Sequence, residues 1–203
     1  MADYEQALRL NPSDAVIYYN LGVAWAHKDD KRAIGYLSEA IRVDSNRANF
    51  FLARGNAYMR RREFELGRSD FARAISLDPG NASHYISRGA VHHLKGDYRL
   101  AILDFSEAIR LRPEHPLAFN NRARTYLRRG GHEEALADIE RAISLGSPKA
   151  CLYLTRGQVF KAQGRREEAL RDINLAIIRA AEERDGATLK KAMDALVAMR
   201  DGR

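Results

Sequence analysis

The chain has 203 residues, 45% of them hydrophobic, and a formal net charge of +7. Its one cysteine, Cys151, excludes a disulfide framework within the chain, and no apolar run approaches the roughly 18 residues of a membrane span. The N-terminus lacks the basic flank and apolar core of a secretory signal, so the cytoplasm is the expected compartment and a membrane partner is not expected; the positive charge favours acidic partners without choosing their class.

Helical periodicity runs along the chain in segments of about a dozen residues. Residues 1–12 read as one helix and its ending, with Tyr4, Ala7 and Pro12 at the spacing of Phe105, Ala108 and Pro113. This is the second half of a unit, so 1–14 is set apart as a half repeat. The next unit, 15–47, predicts helices over 14–27 and 30–43 and is one residue short in its turn. Four units follow in one register, 48–81, 82–115, 116–149 and 150–183. Their predicted helix pairs are 47–61 and 64–77, 81–94 and 98–111, 115–129 and 132–145, and 149–162 and 166–182. Asn81, and Ser147 before Pro148, are helix-start signals. Past Gly186, the residues Leu189, Ala192, Met193, Leu196 and Val197 fall on one helical face. Residues 184–203 are therefore expected to form a helix that caps the last unit.

A shift of 34 residues maps the chain onto itself. Phe105 corresponds to Phe71, Ile139 and Ile173, and Ala108 to Ala74, Ala142 and Ala176. Gly89 corresponds to Gly55, Ala123 and Gly157. A fixed period of this size marks stacked copies of one unit rather than a single globule. Small residues let the two helices of a unit approach, and the large one between them fills the space. Each amphipathic helix buries its apolar face only against a neighbour.

The pattern of small residue, aromatic, small residue, aromatic, alanine and proline resembles the tetratricopeptide repeat. One unit gives Gly55, Tyr58, Gly67, Phe71, Ala74 and Pro79; the next gives Gly89, His92, Ala101, Phe105, Ala108 and Pro113. Ile139 and Ile173 replace the aromatic, and Ser147 and Ala181 the proline. The resemblance implies an all-α, right-handed superhelical solenoid of antiparallel helix pairs. It also implies a concave groove, lined by the first helices, that binds an extended peptide or a partner helix.

Each regular unit places an arginine before the small residue of its first helix: Arg54, Arg88, Arg122 and Arg156. Sixteen residues later stands an aspartate: Asp70, Asp104, Asp138 and Asp172. The unit 15–47 has neither, carrying Leu21 and Tyr36 instead. Both places change together within one unit, so a structural ladder of ion pairs is expected within units, apart from any binding site. Asp3 fills the aspartate place of the half repeat, and its arginine would lie upstream of Met1. The chain is therefore expected to be a fragment of a longer array. Alternatively, the orphan helix self-associates with another copy.

The expected groove positions are Tyr19; Asn49, Asn56 and Arg60; His93; Asn120, Arg124 and Arg128; and Gln158 and Lys161. The amides offer donors and acceptors to a peptide backbone, and the arginines offer two-pronged grips on carboxylates. An acidic or carboxylate-ended protein segment is the expected ligand. The carboxylate clamp of some family members is not expected, because Tyr19, Cys151 and Thr155 stand where it wants Lys or Arg. Asn20 and Asn121 begin an asparagine ladder that Ala53, Ser87 and Thr155 interrupt.

No enzyme, cofactor or metal is expected. His92 and His93 are adjacent and point about 100° apart on a helix. His132-Glu133-Glu134 lacks the second histidine of a zinc helix, and Gly130-Gly131 is a turn, not a phosphate loop. The clusters Arg60-Arg61-Arg62, Arg128-Arg129 and Arg165-Arg166 sit in the inter-helix turns, forming a basic edge. Nucleic-acid binding there is the weaker reading, because no aromatic residues interleave to stack on bases and basic helix ends are ordinary dipole partners.

Overall fold

The computed structural model describes residues 11–146 and 149–200. Residues 1–10, with Asp3, Tyr4 and Ala7, and the pair Ser147-Pro148 lie outside the described residues. Two compact units divide the chain, Met1–Asp97 and Tyr98–Arg203. Among the described residues the secondary structure is eleven helices and no strand.

The first unit holds α1 (Ala15–Trp25), α2 (Asp30–Val43), α3 (Ala48–Arg60), α4 (Phe64–Leu77) and α5 (Ala82–Lys95). Side-chain oxygens begin three of them. Asp14 accepts from the Val16 N–H at 2.8 Å, Asp29 from that of Arg32 at 3.1 Å, and Asn81 from that of Ser83 at 3.1 Å. The turns inside the hairpins need one left-handed residue. Gly96 takes it at φ 85° after α5, whereas His27 and Arg62 take it at 68° and 62° without the freedom of glycine. In the core, Leu37, Phe50 and Phe71 are fully buried beside Ala33, Ala40, Ala57 and Ala74.

The second unit holds α6 (Tyr98–Leu111), α7 (Pro116–Arg129), α8 (His132–Ser144), α9 (Ala150–Ala162), α10 (Arg166–Glu182) and α11 (Gly186–Arg200). Pro116 opens α7, where its missing N–H costs nothing, and Gly130 closes it at φ 89°. Phe119, Ala123, Ile139, Leu152 and Val159 form one buried cluster, and Phe160, Ala169, Ile173 and Met199 another. The Glu183 carboxylate accepts from the Ala150 N–H at 3.0 Å, so the end of α10 satisfies an orphan donor of α9.

The last helix departs from the expected seal. Ala192 and Met199 are buried against the preceding helices, and Leu196 packs partly. Met193 and Val197 stay 53% and 56% exposed. The apolar stripe is wider than the contact, so residues one step round the helix from Ala192 face outwards.

Candidate peptide-binding faces

In α3, α7 and α9 the arginine at the middle of the helix is surrounded. Arg54 donates from Nε and Nη2 to the two Asp70 oxygens, both at 2.8 Å. Arg122 meets Asp138 at 2.7 Å through both contacts, and Arg156 meets Asp172 at 2.6 and 2.8 Å. Aromatic rings flank each guanidinium from three residues before and four after: Phe51 and Tyr58, Phe119 and Tyr126, Tyr153 and Phe160. The aspartate hydrogen bonds hold all three guanidinium pKa values above their ordinary range, with burial opposing. Arg88 lies over Tyr85 in the first unit, and Asp104 is buried in the second.

A further contact escaped the sequence reading. Arg54 also donates to Ser38 at 3.1 Å, and Arg122 to Ser106 at 2.8 Å, each 16 residues upstream in the preceding hairpin. Glu140 acts on Arg156 at the same step. The arginine thus ties its own hairpin together and ties it to the one before. No regular residue type marks that upstream place, because Ser38, Ala72, Ser106 and Glu140 occupy it in turn.

In the first unit, Asn49 and Asn56 are exposed seven residues apart on one face of α3. Tyr19 is half-buried, with its ring stacked on Phe50 at a 5.1 Å centroid distance. His93 is half-buried on α5. Arg60 is a correction to the expected basic groove. It donates to Asp30 at 2.8 Å, and the carboxyl pKa of Asp30 falls chiefly through that bond. Its charge is neutralised by a residue 30 positions earlier, at the start of α2. Lys95 donates to Glu65 at the start of α4 over the same span of 30 residues, one place further along the repeat.

In the second unit, Leu117, Asn120, Arg124 and Arg128 follow one another along a single face of α7. Arg124 and Arg128 are exposed, and among the described residues neither makes an ion pair. Asn120 is 3% exposed, so it is a floor rather than a rim, and its Oδ1 has no hydrogen-bond partner among the described residues. Gln158 and Lys161 are exposed on α9. A hollow of about 290 Å³ lies where α7 and α9 begin, lined by His115, Pro116, Leu117, Lys149, Cys151 and Leu152. The His115 Nδ1 is likewise buried without a partner. Burial, and then the nearby Glu183 and Asp185 carboxylates, push the Cys151 thiol up.

The basic edge is cancelled only in part. Arg61 pairs with Glu63 and Arg165 with Glu168, both within 2.6 Å, while Arg166 donates to the Met199 carbonyl. Among the described residues, no helix is long and apolar enough to cross a membrane. Nor does any group of three His, Cys, Asp or Glu side chains gather as metal ligands among them.

Residues 31–82, 52–116 and 95–150 match a family model described as tetratricopeptide repeat, and residues 1–29 match one described as TPR repeat. No curated protein matches the chain by sequence. Among solved structures, the MamA protein is 22% identical, with 85% of this chain and 94% of that one covered at a TM-score of 0.69. YrrB, described as a TPR protein with an unusual peptide-binding site, is 20% identical, covering 94% and 97% at 0.67. PilW, described as a widely conserved type IV pilus biogenesis factor, is 19% identical, covering 95% and 88% at 0.81. At these identities the likeness is one of fold.

Proposed function

The chain belongs to the tetratricopeptide repeat family, whose members generally serve as non-enzymatic protein-interaction scaffolds, and from that premise we propose that the α7 face of its second unit binds an extended acidic or carboxylate-ended protein segment. One observation carries this. Arg124 and Arg128 project one turn apart with no ion pair among the described residues, beside a buried Asn120 acceptor that lacks a donor. A peptide supplies what the arginines lack, carboxylates for their two-pronged donors. The peptide-binding site of YrrB, a protein of the same fold, supports the reading. Asn49 and Asn56, with Tyr19 and His93, offer a second, uncharged stretch of contact in the first unit.

Fluorescence anisotropy with a labelled octaglutamate peptide tests it, with octalysine as the control. The unmodified chain is expected to bind the acidic peptide alone. Arg124→Glu is expected to weaken binding about tenfold, the scale of one interfacial charge pair, and Arg128→Glu by a similar factor. Unchanged affinity in both variants removes this face from the function.

A second reading rests on the outward Met193 and Val197, with Ile178 also exposed on α10. Here the array self-associates through its last helix. Light scattering across a concentration series is expected to show association that Met193→Lys with Val197→Lys abolishes. The orphan N-terminal helix falls outside the described residues and adds nothing to this reading.

A further inference from the structure

The face of α7 changes character along its length. Leu117, Arg124 and Arg128 stand seven and then four residues apart, so all three project within one narrow arc of the helix. Leu117, at the start of α7, is 47% exposed. The repeat does not require leucine there, since the same place holds Val16, Asn49, Ser83 and Cys151 in the other hairpins. Cys151 and Gln158 stand at the heights of Leu117 and Arg124 on α9, which packs beside α7. The two helices thus present one strip with an apolar end and a cationic end.

The apolar end is hollow. Leu117, Pro116, Cys151 and Leu152 line the space of about 290 Å³ where the two helices begin. Leu152 belongs to the buried cluster of Phe119 and Ile139, so one wall of the hollow is the hydrophobic core itself. The volume falls just below the range of small-molecule pockets, a size for one side chain rather than a whole segment. Charge also separates the two ends. The Glu183 and Asp185 carboxylates act on Cys151, and Lys149 opposes them with a smaller effect. A ligand carboxylate is repelled there and drawn to the arginines, whereas an apolar side chain is indifferent to both.

We propose that the hollow seats one large apolar side chain of the same protein segment whose acids meet Arg124 and Arg128, and so fixes where along α7 that segment lies. The inference deepens the reading of α7 as the face for an acidic segment and rests on it. Helical rise puts Arg124 about 10 Å and Arg128 about 16 Å along the axis from Leu117. An extended chain covers those lengths in about three and about five residues. The ligand is therefore a segment with an apolar anchor about three residues from its first acid and five from its second. The arginines alone accept any run of acids; the hollow makes the site read spacing.

The probe is a labelled hexapeptide, Leu-Ser-Ser-Glu-Ser-Glu, with its reversed sequence and with versions of both that carry serine for leucine. Anisotropy at low salt compares them. In one of the two orders, leucine is expected to tighten binding about tenfold or more over serine, the scale of one leucine side chain taken out of water. That peptide at saturation is expected to slow the reaction of Cys151 with iodoacetamide several-fold, and its serine version is expected to leave the rate unchanged. Leu117→Ser is expected to erase most of the preference for leucine. The Cys151 rate needs no substitution, so it reads the hollow even where a variant folds poorly. Equal affinity of the leucine and serine peptides, with both lost in Arg124→Glu, overturns the hollow and leaves the α7 face standing. A leucine preference that leaves Cys151 as reactive as before places the leucine elsewhere and likewise overturns the hollow. Undiminished binding when both glutamates are replaced by glutamine overturns the pairing of anchor and acids together with the acidic reading. No binding by any of the peptides or by octaglutamate overturns both.

Discussion

A guanidinium held by two carboxylate oxygens, two rings and the preceding hairpin is costly to remove, because its aspartate stays behind in the core. Asp138 is 6% exposed. Arg122→Leu is expected to destabilise the chain by about 3 kcal/mol through the stranded carboxylate, read from urea unfolding. The chain supplies its own compensated version in Leu21, fully buried, with Tyr36. Arg122→Leu with Asp138→Tyr is therefore expected to cost less than Arg122→Leu alone. Additive losses would show that the two side chains do not act as a pair. The step of 16 was legible because both partners keep their types from unit to unit and change together once. The Ser38 and Ser106 contacts were not, since that place changes type at almost every unit. Arg60 was misjudged for a related reason: its partner Asp30 belongs to another unit, and reading one unit at a time hides it. Cys151 carries a separate expectation. Burial and the neighbouring carboxylates raise its pKa, so less thiolate is present at pH 8 than in an unfolded chain. Iodoacetamide is expected to react with it more slowly than with the urea-unfolded protein. Glu183→Gln is expected to speed the native reaction; a rate equal to that of the unfolded chain would contradict the burial.

At the scale of the helix, hairpins close because glycine or alanine on one helix admits a large residue from the other. A Cβ added to Gly55 would stand 2.6 Å from Phe71 Cε1, and Phe71 is fully buried. Gly55→Ala is expected to cost about 1–2 kcal/mol, strain outweighing the better helix propensity of alanine. The second unit pairs Ala123 with the smaller Ile139, both fully buried. Gly55→Ala with Phe71→Ile rebuilds that pairing, so the double variant is expected to be more stable than the sum of the single losses allows. Thermal unfolding of the four proteins measures the coupling. Helix positions were legible to this depth because the small-to-large alternation recurs: 64–77, 98–111 and 166–182 are the spans of α4, α6 and α10. The last helix was less legible. Periodicity shows that Ala192, Met193 and Val197 share an apolar side, but not how wide a strip the neighbour covers, and Met193 and Val197 fall beyond its edge.

Across the whole molecule, whose net charge is +7, the charged groups fall into two electrostatic systems that salt separates. The ladder is held by half-buried arginines and buried aspartates, with short two-pronged bonds, so mobile ions screen it weakly. Arg124 and Arg128 of α7 are exposed and make no ion pair among the described residues, so whatever acid meets them comes from outside. Raising ionic strength from about 0.01 M to 0.15 M shrinks the screening length from about 30 Å to 8 Å. Over that range the affinity for octaglutamate is expected to fall more than tenfold, because several exposed charge pairs weaken together. The urea midpoint is expected to hold or rise slightly: the ladder is spared, while repulsion across the excess charge is relieved. The same titration on Arg124→Glu is expected to start from weaker binding and to show a shallower salt dependence, since one of the exposed attractions is gone before salt is added. Binding that ignores salt would place the peptide on apolar contacts, such as Leu117 and the hollow beside Cys151, and take the recognition away from the arginines. A midpoint that collapses with salt would place the ladder in solvent and undo the division between the two systems.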